Sequence, residues 1–276
     1  PRVLRACRMV AEEGIAEPIV IGDEAEIVSQ LQELGYDRDF LHIVDPARFE
    51  RREEYAEELY RLRQRKGVSL TEARERLRHR RYFGPMMVRM GDADGLVGGL
   101  LHHFSETVRP ALQIIGLDPG AKRVAGLYMM VLQSEVLFFA DPVINIDPTA
   151  EEVAEIAVQT ANMARAFDVE PRVAMLSFST FGSSDHPHAQ KMRRATELVR
   201  AAHPDLIVEG EMQADLALQP ESLIEAYPFA QPRGRAHVLL FPDLSSANTP
   251  HRPCTTPARA QPVGPIPAAP DTPVHP

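Results

Sequence analysis

Short apolar runs alternate with amphipathic, capped stretches along this chain, and few folds admit that alternation. "EPIVIG", Glu17 to Gly22, has the pattern of a short buried strand. "DEAEIVSQLQELG" reads as a helix ending on Gly35, and "FLHIVD" as a second strand. Strand, helix and strand in that order form a βαβ unit with parallel strands. From Asp45 to Arg81 charged residues dominate. There Asp45-Pro46 predicts a helix start and "SLTE", Ser69 to Glu72, a capping box, giving two arginine-rich helices. The rhythm resumes with "DGLVGGL", the helical "SETVRPALQIIG", and the strands "VAGLYMMVLQ" and "EVLFFAD", close enough to pair directly. "DPTAEEVAEIAVQTANMARAF" carries a start signal in Asp147-Pro148 and a buried face through Val153, Ile156, Ala157, Thr160, Ala164 and Phe167. "LIVEG" and "HVLLFPD" close a set of about eight strands. This predicts an α/β architecture with a largely parallel sheet, whose ligands sit at the carboxyl ends of strands.

The stretch after "SSAN" differs in kind. "TPHRPCTTPARAQPVGPIPAAPDTPVHP" is proline-rich, and Pro250, Pro253 and Pro257 would each remove a helical N–H and clash with the preceding turn. Composition predicts no helix there and a disordered tail.

Charge and cysteine usage narrow the function classes. A net charge of −9 and a pI near 5.6 lack the basic face of a nucleic-acid binder, so no nucleic-acid partner is expected. Cys7 and Cys254, the only cysteines, are too few for a disulfide framework or a cysteine-rich zinc site, which makes a reducing cytoplasm the default. Runs such as "VLFFA" and "HVLLF" fall far short of the roughly 20 residues of a membrane span, so no membrane partner is expected. The chain starts on Pro1, within what reads as a helix already in progress, as expected of a fragment.

The most suggestive chemistry lies in "VAMLSFSTFGSSDHPHAQKM", Val173 to Met192. A glycine and serine turn between a buried strand and a helix can aim backbone N–H groups and hydroxyls at a phosphate. It can equally be an ordinary connection in which Ser183, Ser184 or Asp185 caps the helix. Arg109, before a proline in "SETVRPAL", carries the planar fork that binds phosphate bidentately, and could instead pair with Glu106. Arg63 stands among Arg61, Arg65 and Lys66, the composition of a solvated face. "GDADGLVGG" predicts tight turns, not a dinucleotide fingerprint, because strand, glycine turn and helix are in the wrong order. His102-His103 and "DHPH", Asp185 to His188, lack metal-site spacing. No G-x-S-x-G elbow surrounds Ser177 or Ser179. "EGEMQAD" places Glu209, Glu211 and Asp215 at a strand end, either for acid/base work or as solvated turn carboxylates.

Taken in order, "YFGPMMVRMGDADGLVGG", "RPALQIIG", "LFFADPVINIDPTAEEVAEIA", "PRVAMLSFSTFGSSDHP", "VEGEMQAD" and "HVLLFPDLSSAN" resemble the phosphate acetyl/butyryltransferase family over nearly the whole chain. Its enzymes move an acyl group between coenzyme A and phosphate. The resemblance implies a three-layer α/β/α, two-domain phosphotransacetylase-like fold, related to the isocitrate and isopropylmalate dehydrogenases and truncated at both ends. The domains would be residues 1–147 and 148–248, with the active cleft between them. An aberrant proline-rich tail, 249–276, would replace the return to the first domain. Substrates would be acetyl-CoA and phosphate or acetyl phosphate, with coenzyme A as substrate or effector, no tightly bound cofactor and no metal. A homo-oligomer is implied. The family's substrate arginines correspond to Arg63, before the "KG" turn, and to Arg109 in the T-x-R-P segment. The turn with Ser179, Gly182, Ser183 and Ser184 would contact phosphate or an acyl-phosphate oxygen.

The implied mechanism is attack of the coenzyme A thiolate on the carbonyl of acetyl phosphate. An aspartate serves as base, a serine and arginines stabilise charge, and phosphate leaves. The family's D-L-S-R-G loop, which supplies that serine, an arginine and soon after the aspartate, falls beyond Pro276 in this register, so no catalytic residue is expected within the chain. Within the family, "NIDPTAEEVAEIA" and "GSSDHP" resemble the domain fused to the C-terminus of large bacterial NADP-dependent malic enzymes. That implies an N-terminal malic-enzyme region and, as an alternative role, a non-catalytic acetyl-CoA-sensing and oligomerising domain regulating malate decarboxylation. A degenerate product without stable function is the third expectation.

Overall fold

The computed structural model describes residues 1–99, 104–117, 121–133, 135–230, 234–254, 261–268 and 274–275. Two compact units emerge, Pro1–Gly116 with a short return at Thr272–Val274, and Leu117–Asp271 with His275–Pro276.

The first unit opens with α1 (Arg2–Glu12), followed by β1 (Ile19–Ile21), α2 (Glu24–Glu33) and β2 (His42–Val44). The two strands pair in parallel, as the βαβ pattern requires. Asp23 caps α2 by accepting the Glu26 N–H at 2.9 Å, and Gly35 follows in the left-handed region at φ 69°. Asp45-Pro46 does not open a helix. The Asp45 carboxylate instead accepts the Ala47 N–H at 2.9 Å in an Asx turn, and α3 (Arg52–Arg63) begins only after it. The charged stretch holds α3, α4 (Leu70–Arg76) and α5 (Arg80–Arg89), not two helices. Ser69 caps α4 through the Glu72 N–H at 3.1 Å. After β3 (Leu96–Val97) comes α6 (Phe104–Ile114). Tyr55 and Leu59 on α3, Phe83 and Met86 on α5, and Ile114 on α6 share one core, each pair lying three or four residues apart on its helix.

In the second unit β4 (Ala125–Val131) and β5 (Val136–Ala140) pair antiparallel, because the few residues between them suffice only for a hairpin. Then follow α7 (Ala150–Ala166), β6 (Arg172–Leu176), α8 (Pro187–Ala202), β7 (Ile207–Met212), α9 (Ala214–Leu218), α10 (Pro220–Ala226), β8 (Val238–Leu240), α11 (Leu244–Cys254) and β9 (Gln261–Ala268). The sheet runs β7-β6-β8-β5-β4-β9. It is mixed: β5, β8, β6 and β7 are mutually parallel, and β4 is antiparallel to both of its neighbours. Along β5, Phe138 and Ala140 join a core with residues of α7 and α8. Leu137 and Phe139 join a second core with Ala217 of α9 and Leu223 of α10. Alternation with both sets buried is what an interior strand needs.

Three expectations are corrected here. The cap of α7 is Thr149, not Asp147-Pro148: its hydroxyl accepts the Glu152 N–H at 3.3 Å and the Glu152 carboxylate accepts the Thr149 N–H at 2.8 Å. Phe167, beyond the last turn of α7, is 43% exposed and does not continue the buried face. The unit boundary lies at Gly116, not near residue 147, because β4 and β5 are bonded into the second unit's sheet.

The tail is the largest correction. The helix α11 runs through Pro250 and Pro253, and β9 pairs along β4 from Gln261 opposite Val131 to Ala268 opposite Ala125. The helix is secured before its prolines: the Asp243 carboxylate accepts the Ser246 N–H at 2.8 Å, the Asn248 amide donates to the Pro142 carbonyl at 3.0 Å, and Ala247 is buried. As for β9, it is an edge strand, where N–H groups are needed on one side only, so Pro262, Pro265 and Pro267 are tolerated. Ile266 and Ala268 anchor it in the core.

Candidate functional site

Between β6 and α8 the chain reads "SFSTFGSSDH", residues 177–186. Phe181 and Gly182 adopt left-handed φ values of 44° and 89°, which turn the chain back on itself. Nearly everything in this turn converges on one side chain, Glu211 of β7. Its carboxylate is completely buried and accepts the Gly182 N–H at 2.9 Å and the Ser179 hydroxyl at 3.0 Å. From the other side Arg193, on α8, reaches Glu211 Oε2 through Nε and Oε1 through Nη2, both at 3.1 Å. The same Nη2 donates to the Ser184 carbonyl at 3.2 Å.

Glu211 arrives there by a backbone irregularity. In the ladder with β6, Met175 pairs with Gly210 and Leu176 with Met212, so Glu211 is the extra residue of a bulge, a device that re-aims a side chain. Gly210 stands at φ 149°, where a Cβ would lie 2.7 Å from the Met175 carbonyl oxygen. Only glycine fits. Burial pushes the Glu211 carboxyl upward, but the bonds from Arg193, from the Gly182 and Glu211 N–H groups and from Ser179 outweigh it and hold the carboxyl below its usual range.

The four turn residues singled out from sequence are thus brought together. Ser179 is buried, and its hydroxyl also accepts the Ser184 N–H at 3.1 Å and meets the Ser183 hydroxyl at 3.0 Å. Gly182 spends its N–H on the Glu211 carboxylate. Ser183 is exposed at the rim. None of Ser183, Ser184 and Asp185 caps α8; His186 does, accepting the His188 N–H at 3.2 Å, with Pro187 as the first helical residue. Phe181 packs edge-on against Tyr227 and Phe229, with centroids 5.0 and 5.1 Å away. Of the "EGEMQAD" carboxylates, Glu209 is also buried and bonded to Arg200, and Asp215 is exposed.

Arg63 and Arg109 belong to the first unit. Arg63 ends α3, half-buried, with its Nε buried and without a hydrogen-bond partner. Arg109 is an exposed residue of α6 with no hydrogen bond or ion pair among the described residues; Glu106, its expected partner, lies 3.8 Å from Arg81. One turn on, the Gln113 Oε1 is buried and unpartnered. Asp92 of the glycine-rich stretch binds Arg51 at 2.6 and 2.8 Å and the Tyr55 hydroxyl, a structural role. His102 and His103 lie outside the described residues. Among the described residues no group of three or more His, Cys, Asp or Glu side chains is arranged to hold a metal ion.

Sequence reasoning left the role of Glu211 open and missed Arg193 and Gln113. For Glu211 the available signal was the glycine between two acidic residues directly before a strand end.

The chain matches the family model for phosphate acetyl/butaryl transferase over residues 1–276. It is 42% identical over 273 residues to the phosphate acetyltransferase of Thermoanaerobacterium thermosaccharolyticum, covering 96% of this chain and 83% of that protein. It is 40% identical over 270 residues to the phosphate acetyltransferase of Escherichia coli, again with 96% of this chain but 37% of that longer protein. A phosphotransacetylase structure from Streptococcus pyogenes superposes with a TM-score of 0.93 at 41% identity, covering 99% of this chain and 83% of that one. The EutD phosphotransacetylase of Staphylococcus aureus gives 0.91 at 36% identity, with coverages of 99% and 84%. With the family model matched from end to end and the α/β fold shared with phosphotransacetylase structures, this chain belongs to the phosphate acetyl/butyryl transferase family.

Proposed function

We propose that the chain acts in phosphate acetyltransfer, converting acetyl-CoA and inorganic phosphate to acetyl phosphate and coenzyme A, and the reverse. The observation that carries this reading is the similarity, 42% identity across 96% of the chain, to a phosphate acetyltransferase. In the reverse direction a thiolate sulfur attacks the acetyl carbonyl, the new C–S bond forms, the C–O bond to phosphate breaks, and phosphate leaves with its charge in need of cationic partners.

The residues that fit that need are Arg109, whose guanidinium has no partner among the described residues, and Arg63, whose buried Nε has none. An unpaired buried donor calls for a ligand, and guanidinium is the group best matched to phosphate. In the second unit the rim of the Gly/Ser turn, with Ser183 and Ser184, supplies neutral hydroxyl donors suited to a phosphate oxygen, while Ser179 and Gly182 shape the turn.

The test is thioester formation by the purified chain from acetyl phosphate and coenzyme A. Turnover is expected, with Arg109→Ala raising KM for acetyl phosphate about tenfold or more, the loss of one charge-assisted contact. A second reading, an acetyl-CoA-sensing and oligomerising domain of a malic enzyme, is favoured by "NIDPTAEEVAEIA" and "GSSDHP". Acetyl-CoA binding without turnover would replace the first reading with that one.

A further inference from the structure

Counting protons in the Gly/Ser turn shows which of its groups remain for a ligand. The N–H groups of residues 179 to 184 are all engaged internally: Ser179 to Ser177 Oγ, Thr180 to Ser183 Oγ, Phe181 to the Glu211 carbonyl, Gly182 to the Glu211 carboxylate, Ser183 to the Thr180 carbonyl and Ser184 to Ser179 Oγ. Each hydroxyl has one hydrogen and two lone pairs. Ser179 gives its hydrogen to Glu211 and already accepts the Ser184 N–H, so in its 3.0 Å contact with Ser183 it must be the acceptor. The direction is therefore fixed: Ser183 donates to Ser179, and Ser179 donates to Glu211. Ser183 is the exposed end of that chain. It can swing its hydrogen to an outside oxygen while Ser179 keeps its other bonds.

We propose that Glu211, clamped by Arg193, is a positioning residue that holds the turn in its ligand-ready form without any ligand and leaves the hydroxyls of Ser183 and of Ser184, whose oxygen accepts the His186 N–H, to donate to a phosphate oxygen. The assignment of that oxygen to phosphate or acetyl phosphate rests on the reading under Proposed function. An internal carboxylate bonded to the turn explains why the turn needs no external anion to form. The bulge and Gly210 have the same consequence, since an unbroken ladder would not deliver Glu211 to this point.

An internal control exists on the same strand. Glu209 is buried like Glu211 but is paired to Arg200 of α8 instead of Arg193. Glu211→Gln, Arg193→Met and Arg193→Lys are compared with Glu209→Gln in the full chain, by amide hydrogen exchange without ligand and by KM for acetyl phosphate. Slow exchange at Gly182 and Ser184 in the wild type is expected, with Glu211→Gln and Arg193→Met accelerating it about tenfold or more. The same two variants should raise KM for acetyl phosphate about tenfold with kcat changed far less, and Arg193→Lys should recover part of both. Glu209→Gln should lower stability while leaving both readouts near wild type. Should Glu211→Gln leave the two amides and KM unchanged, or Glu209→Gln move them equally, the proposal is overturned. If the wild type shows no turnover, exchange at Gly182 and Ser184 still decides the positioning role, and only the identity of the ligand falls.

Discussion

At the scale of single residues, Gly210 and Glu211 set the geometry of the candidate site. Any side chain at Gly210 meets the Met175 backbone while its φ of 149° disfavours L residues. Gly210→Ala should cost about 3 kcal/mol or more, read from the urea unfolding midpoint, and a midpoint within error of wild type would contradict the bulge described here. Glu211 makes a pH prediction of definite sign. Its folded carboxyl lies below the ordinary glutamate value of 4.5, so its contribution is fully present above that pH and is lost as pH falls through the folded value. The stability difference between wild type and Glu211→Gln should therefore be largest near neutrality and shrink below about pH 4.5, followed as thermal midpoints across pH 3 to 7. None of this could be read from "EGEMQAD", because alternation alone does not tell a bulged carboxylate from a solvated one.

At the scale of elements, capping and alternation went far. Asp23 and Gly35 bound α2 as the sequence predicts, and β5 buries both of its faces. Local rules failed where a stronger partner was available nearby. Thr149 and Glu152 form a reciprocal cap that displaces Asp147-Pro148 as the start of α7, and His186 takes the cap of α8 because the serines before it are spent on the turn. The helix α11 is the sharpest case, since anchors in its first turn hold a segment that proline content alone forbids. Pro250 still leaves the Ser246 carbonyl without its helical donor. Pro250→Ala should raise the unfolding midpoint by the equivalent of about 1 to 3 kcal/mol, and a lower midpoint would show that the proline stabilises the helix end.

For the molecule as a whole, the proline-rich segment is part of the sheet. Removing residues 255–276 would take Ile266 and Ala268 out of the second unit's core and leave β4 as an unpaired edge. The truncated chain should bind an apolar dye, self-associate through that edge, and lose about 2 to 5 kcal/mol for Ile266 alone. A truncated chain that stays monomeric and equally stable would mean that β9 contributes nothing. The described residues hold no helix long and apolar enough to cross a membrane.

By itself the sequence determined the α/β class, the alternation of strands and helices before the proline-rich segment, the Ser69 cap of α4 and the Gly35 end of α2, and, through its resemblance, the family. Those properties depend on neighbours within a few residues or on patterns of period 2 and 3.6, which are written along the chain. Only the tertiary structure decided that β4 and β5 join the second unit, that a proline-rich strand closes the sheet edge, and that Glu211 accepts the Gly182 N–H and the Ser179 hydroxyl of the Gly/Ser turn. Each of those outcomes depends on residues brought together from distant parts of the chain, Ser179 with Glu211 and Leu127 with Ile266. Hydrogen-bond satisfaction and burial are settled between such partners, and no local pattern records them.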